Sequence, residues 1–323
     1  MFPHDPDHML AAVTHAAPHD YYRRLADGPP LRFDAGLDCW LATGSGVPAV
    51  LAHRDLRVRP LDQPVPEHLM GTACGAIFAE LVRMNDGERH TQARRALMQE
   101  LASMDLARLH ADTVLLARQH LPGSAEQLNQ LMFDLPLFAV AQLLGFTPAD
   151  WPQIARWTRD FVAALPVQAD CATIAQAQLA ALSLQAAFKQ LRPGDDAGLR
   201  ANLIGLLVQT CEATAGLLGN SVLALRNRQP SPAIHNTRRY AACDVPMEGV
   251  TIRQGQMVLV LLAQEGLDFG HGVHRCPGQA VAQTIVRAIL SAWSGTLAQL
   301  TLDSHYRASP NARIPVFAAA EAA

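Results

Sequence analysis

The tightest constraint on this chain is one ten-residue stretch, FGHGVHRCPG at Phe269–Gly278, which runs straight into the segment QAVAQTIVRAIL. Gly270 and Gly272 free the backbone from the steric limits of L residues and allow a close approach to a flat ligand. Pro277 is expected at the first position of a helix, where its missing N–H costs nothing. Val281, Ile285 and Ile289 then recur every four residues and mark that helix's buried face. A cysteine at such a helix start sits among orphan N–H groups at the positive end of the helix dipole, and both favour the thiolate. His274 and Arg275 add donors or positive charge for acidic groups nearby. A lone cysteine in an apolar chain is ordinarily an inert buried thiol; the filled positions around Cys276 set this one apart.

The pattern F-G-x-G-x-H-x-C-x-G resembles the haem-binding loop of the cytochrome P450 family. The resemblance implies that Cys276 is the thiolate ligand of haem iron, in a loop shaped by Phe269, Gly270, Gly272 and Gly278. Such a ligand pushes electron density onto iron and favours O–O cleavage. The family's C helix carries H-x-x-x-R. Here Asp86–Leu101 reads as a polar, basic helix in which His90 and Arg94 lie four apart on one face. By the same resemblance His90, Arg94, Arg239 and His274 are partners of the haem propionates. The implied cofactor is haem b, iron protoporphyrin IX.

Half of the 323 residues are hydrophobic, enough for a sizeable core, and a net charge of -3 without a polybasic tail gives no sign of nucleic-acid binding. The six cysteines, at 39, 74, 171, 211, 243 and 276, form no C-x-x-C pair and no zinc spacing. That suits a reducing compartment, so a cytoplasmic location is expected. The start, MFPHDPDHML, has neither the basic nor the apolar region of a signal peptide. Leu203–Leu225 is long enough to span a bilayer. Glu212 near its centre, however, costs about 2.5–3.5 kcal/mol in a membrane even on a lenient scale. A helix buried in a protein core explains the same composition, and no membrane anchor is expected.

Residues 1–28 read as a polar segment. His4/His8 and His15/His19 have the spacing of a helical metal site, but Pro6 and Pro18 interrupt it, so solvated histidines are expected. Residues 31–43 read as two strands turning near Gly36, and a helix begins at Val47. The run GSGVPA before it lacks the third glycine and the acidic residue of a dinucleotide loop. Residues 58–79 read as a long loop with room for a short helix. Two helices over 127–165 part at Gly145 and restart at Thr147–Asp150. Further helices are expected at 172–191 and, as the long central helix, 198–226. Strands follow at 236–242, 250–252 and 256–262, and YRASPNARIPVF closes as a hairpin. These elements fall in family order, so the resemblance implies one mainly α domain over 1–323 with small β-sheets and a cytochrome P450-like fold.

The chain departs from the family in three places. The family's central helix pairs an acid with a following threonine that helps deliver protons to iron-bound dioxygen. Here Glu212 fills the acid slot, but Ala213 stands where the alcohol belongs, and Thr214 lies one residue further on, about 100° round the helix. The usual alanine–glycine pair before it is Gln209-Thr210. The family's E-x-x-R ion pair is missing from its place; Glu80–Arg83 fits the letters but precedes the C helix and reads as coincidence. Finally, Leu262 reaches Phe269 without the family's long meander. The fold is therefore shortened or incompletely recorded, with residues missing within Leu225–Asn236 and Leu262–Phe269.

The implied activity is insertion of one oxygen atom from O2 into a small apolar organic substrate, with electrons from a separate ferredoxin- or flavodoxin-type donor. Glu212, Ala213 and Thr214 line the distal side. Val208, Ala233, Ile234, Val316 and Phe317 occupy substrate-facing positions. Two alternatives stand beside it: a peroxide-dependent haem peroxygenase, which does not need the missing alcohol, and a non-catalytic haem-binding or degenerate relative.

Overall fold

A computed structural model describes residues 5–227, 231–264 and 266–320. The first elements are α1 (His19–Ala26), β1 (Leu31–Asp34), β2 (Cys39–Ala42), α2 (Gly46–Ala52) and β3 (Leu56–Arg57). A helical series follows: α3 (Ala73–Glu80), α4 (Gly87–Ser103), α5 (Leu106–Gln119), α6 (Ala125–Leu143), α7 (Trp151–Ala163), α8 (Cys171–Leu191) and α9 (Ala197–Asn227). The chain closes with β4 (Asn236–Ala241), β5 (Val245–Met247), β6 (Val250–Ile252), β7 (Met257–Leu261), α10 (Gln279–Leu297), β8 (Leu302–Tyr306) and β9 (Pro315–Ala319). Side-chain caps start several helices: Asp105 accepts from Ala107 and Arg108, Ser124 from Gln127, and Asp170 from Thr173.

The chain forms two compact units, each assembled from three separate stretches of sequence. The first contains a five-stranded sheet in the order β1-β2-β7-β4-β3, in which β7 runs parallel to β2 and antiparallel to β4. Because successive side chains on a strand point to opposite faces, β7 supplies two cores. Val258 and Val260 pack with Val47, Val50 and Leu51 of α2, while Leu259 and Leu261 pack with Met9, Ala12, Tyr22 and Leu25. Burial on both faces accounts for the unbroken apolar run.

That packing corrects the reading of residues 1–28 as a polar segment. Met9, Ala12, Val13, Tyr22 and Leu25 are buried, and the histidines serve local structure. The His8 and His15 rings accept from the N–H groups of Ala11 and Ala17, and His19 is partly desolvated, which lowers its pKa. His4 lies outside the described residues. Gly44 and Gly46 serve packing: a Cβ on Gly44 would lie 2.3 Å from the Ala26 carbonyl oxygen, and one on Gly46 2.4 Å from that of Pro30.

The second unit is helical. Trp293 of α10 is fully buried and donates from its indole nitrogen to the carbonyls of Ala117 (3.2 Å) and His120 (3.0 Å) at the end of α5. Asn202 of α9 accepts from Val82 N–H at 2.7 Å and donates to the Glu80 carbonyl at 2.9 Å, fixing that helix against the turn after α3. The Glu80 carboxylate pairs with Arg89. Helices α8 and α9 both have the length and apolar composition of a membrane span. Of those stretches 67% of α9 is buried, as a core helix requires, against 28% of α8. The short connections at Leu225–Asn236 and Leu262–Phe269 include residues 228–230 and 265, so their continuity lies outside the described residues.

Candidate functional site

The Cys276 loop belongs to the first unit and is built by its backbone. Gly270 N–H donates to Leu267 (2.8 Å), Arg275 N–H to Gly272 (3.1 Å) and Cys276 N–H to Phe269 (2.9 Å), folding Gly272–His274 into a 3-10 turn. Gly270 and Gly272 have φ of 74° and 65°, a region that L side chains rarely adopt. Gly272 also lies close against the end of α2 at Leu51 and Ala52. The sequence anticipates these glycines correctly but misplaces the helix start. Helix α10 begins at Gln279 with Gly278 as its N-cap, because Pro277-Gly278 forms a turn of its own. Cys276 therefore precedes the cap, and a dipole that fades within the first turn supports the thiolate less than expected.

None of the six cysteines is disulfide-bonded, and their surroundings separate them. Burial pushes the Cys39 thiol up to about 11 and the Cys74 thiol up to about 12, which makes both inert. Cys276 is exposed, beside His274 and Arg275. In the second unit, a Cβ added to Gly278 would meet nothing within 4 Å. An accessible thiol on a glycine-held turn is the donor chemistry that haem iron takes.

Gly278 also borders a cavity of about 30 Å³ within the second unit, shared with Ala282 of α10, Leu206 and Thr210 of α9, and Leu101 of α4. That volume takes one water, not a macrocycle. Along α4, His90, Arg94, Leu97 and Leu101 are spaced four, three and four apart, so they share the helix face that reaches the cavity. His90 is 4% exposed and Arg94 half-buried. Arg239 is buried on β4 of the first unit, where His274 also lies, half-buried. The four expected propionate partners thus form two pairs, one in each unit.

Helix α9 carries two stripes. Leu203, Leu207, Cys211, Thr214 and Leu218 are buried at 3% exposure or less. Leu206, Thr210, Ala213 and Leu217 form a neighbouring half-open stripe, next to half-buried Glu212. Ala213 therefore stands on the accessible side and Thr214 on the closed one. Val208 is buried. Ile234 bridges to Ala312, and Arg313 N–H donates to the Ala233 carbonyl at 2.8 Å, which puts Ala233 and Ile234 beside the strand that begins at Pro315 and contains Val316. Phe317 is buried, and its backbone exchanges two hydrogen bonds with the Asn129 side chain, both 2.8 Å. Thr210, three residues before Ala213, lines the cavity beside Gly278.

No protein-family model matches the chain. Curated relatives do. Cytochrome P450 107B1 of Saccharopolyspora erythraea is 24% identical over 82% of this chain and 84% of its own length. Cytochrome P450 monooxygenase PikC of Streptomyces venezuelae is 25% identical over 89% and 86%. Linalool 8-monooxygenase of Pseudomonas putida is 24% identical over 91% and 92%. The first two alignments run over 355 and 363 positions, more than the 323 residues of this chain, so both open gaps in it. Among solved structures, CalO2 superposes with a TM-score of 0.76 at 19% identity, covering 93% of this chain and 94% of its own. P450BioI, in complex with an acyl carrier protein ligated to hexadec-9Z-enoic acid, gives 0.74 at 18%, covering 93% and 97%. The chain is thus similar over most of its length to bacterial cytochromes P450, which are oxidoreductases of the monooxygenase kind, and it shares their mostly helical fold.

Proposed function

We propose that the protein is a haem-thiolate monooxygenase that inserts one oxygen atom from O2 into a small apolar organic molecule. It receives electrons from a separate ferredoxin- or flavodoxin-type donor and works in the cytoplasm. The observation that carries this reading is the Cys276 loop: an exposed thiol on a turn held by two positive-φ glycines and three backbone hydrogen bonds. Bound haem b would supply the oxygen activation that no side chain can. The Cys276 thiolate would hold its iron, Phe269, Gly270, Gly272 and Gly278 would cradle it, and His90, Arg94, Arg239 and His274 would pair with its propionates. Charge-assisted bonds to carboxylates are the strong class, so Arg94 and Arg239 contribute most to retention. Glu212 and Ala213 border the distal side, with Thr214 behind them, and Val208, Ala233, Ile234, Val316 and Phe317 contact substrate.

The single-domain reading is part of the same proposal: each unit draws on three stretches of sequence, so neither is a separable segment of chain. The position of Ala213 on the accessible stripe of α9 favours, as a second reading, peroxide as the oxidant. Turnover with hydrogen peroxide but not with donor and O2 selects it.

The test of the first reading is the absorption spectrum of the reduced, CO-bound protein. A red-shifted Soret band typical of thiolate-ligated haem is expected, and Cys276→Ala should abolish it while leaving helical circular dichroism intact. A band that survives this substitution removes Cys276 from the iron. Cys39→Ala and Cys243→Ala should leave the band in place.

A further inference from the structure

Helix α8 is apolar on two opposite sides. Ala177, Ala181, Leu184 and Phe188 are buried within the second unit, to which the whole helix belongs. On the other side Ala172, Ala175, Leu179, Leu182 and Ala186 are all exposed, Leu179 by 61% and Leu182 by 47%. This outer row is spaced three, four, three and four apart, the 3.5-residue repeat of a seam that meets another helix. The polar residues beside it are engaged within the unit. Gln176 donates to Asp160 at 3.0 Å, Gln178 accepts from the Ala73 N–H, and Ser183 donates to the Leu179 carbonyl at 2.9 Å. The row itself therefore offers hydrocarbon. Lys189 is the one charged residue of the helix, and Asp170 is its N-cap.

The helix reads nearly alike in both directions about the Ala180–Ala181 bond: Leu179 answers Leu182, Ala175 answers Ala186, and Gln176 answers Gln185. A row of that kind is its own complement under a two-fold axis. We propose that α8 pairs antiparallel with α8 of a second copy of this chain. Leu179 then packs beside Leu182 of the second copy, and Ala175 beside its Ala186, small side chains that suit an interaxial distance of about 8–10 Å. Antiparallel order also brings Asp170 at the start of one helix near Lys189 at the end of the other, twice over, and sets opposite helix dipoles side by side. Parallel order would set lysine against lysine and aspartate against aspartate. A lipid surface fits less well, because a helix lying on one carries basic residues beside its apolar face, and here the neighbours are glutamine and serine. One helix face about 30 Å long makes a small interface, below the about 1,200–2,000 Å² of a standard one, so the dimer should be weak and reversible.

Sedimentation velocity of the full-length, haem-loaded protein over the micromolar range tests this, and its readout does not depend on which residue holds the iron. Wild type should shift from monomer to dimer as concentration rises. Leu179→Lys and Leu182→Glu, each alone, should weaken association about tenfold or more, because a charge is pressed against a leucine. Both positions are exposed, so helical circular dichroism should stay unchanged. Mixing the two variants should restore the dimer: antiparallel order sets the introduced lysine beside the introduced glutamate and leaves the second leucine pair intact. A wild type that stays monomeric throughout overturns the proposal, and so does a dimer that both variants retain. A mixture that stays monomeric overturns the antiparallel order. Wild type that stays monomeric in solution but sediments with phosphatidylcholine vesicles, while both variants do not, would show a lipid surface as the occupant and overturn it as well.

Discussion

His235 is fully buried, where a neutral imidazole is favoured over the charged one. Its ring shares a 2.8 Å hydrogen bond with the Tyr22 hydroxyl, and burial together with the Arg313 charge depresses its pKa to about 3. A histidine with a lowered folded pKa contributes stability that is full above its unfolded value, near 6.5, and is lost as pH falls toward the folded one. Between those limits the unfolded chain binds about one more proton, a slope of about 1.4 kcal/mol per pH unit. Urea unfolding at pH 7 and pH 5 should therefore show the wild type losing about 2 kcal/mol more than His235→Gln. Equal losses would mean that the imidazole titrates normally in the fold. Tyr22 responds to the same burial in the opposite direction, since its charged form is the deprotonated one.

Packing between elements is set in places by a single missing Cβ. A Cβ on Gly75 in α3 would stand 2.0 Å from the Leu69 carbonyl oxygen and 2.9 Å from its carbon, both backbone atoms. Gly75→Ala should cost about 1–2 kcal/mol, overpacking outweighing the gain in helix propensity, and should lower the denaturant midpoint. A raised midpoint would show that the Leu69–Gly75 turn yields. Such constraints also mark what could be read in advance. The alternation in β1–β2, the turn at Gly145 (φ 103°) and the long α9 were legible, because periodicity and glycine placement are local signals. Helix α5, with its Leu109–Leu116 face, went unread, as did the three-residue β5. So did the burial of Met9, Ala12 and Val13, which exists only because β7 presents Leu259 and Leu261 to them. The glycine turn ahead of Cys276 was legible from residue types alone. The start of α10 was not, since a proline before a glycine suits a helix N-terminus and a turn equally. The orientation of Thr210 depended on which stripe of α9 the rest of the unit buries, a tertiary fact.

On the scale of the whole molecule, Arg313 ties distant stretches together. Its guanidinium donates to the carbonyls of Val13 (2.7 Å), His15 (2.8 Å) and Ala16 (3.3 Å) and lies 3.4 Å from the centre of the Tyr306 ring. Its backbone carbonyl accepts from Asn220 at 2.8 Å. Arg313→Ala strands buried carbonyls and should cost on the order of 3 kcal/mol or more, with faster proteolytic cutting near residues 13–16. An unchanged cutting rate would mean that Met9, Ala12 and Val13 hold the segment alone. The arrangement has a temporal side. The first unit draws on Met1–Asp62, Gly219–Cys276 and Ser304–Val316, so its first strands are made long before the arginine that fastens them. At about 5–20 residues per second, the ribosome needs roughly 13–50 s to travel from residue 62 to residue 313. Through that interval the apolar faces of β1 and β2 have no finished sheet to join, and nascent chains stalled before residue 304 should bind chaperones that completed chains no longer bind.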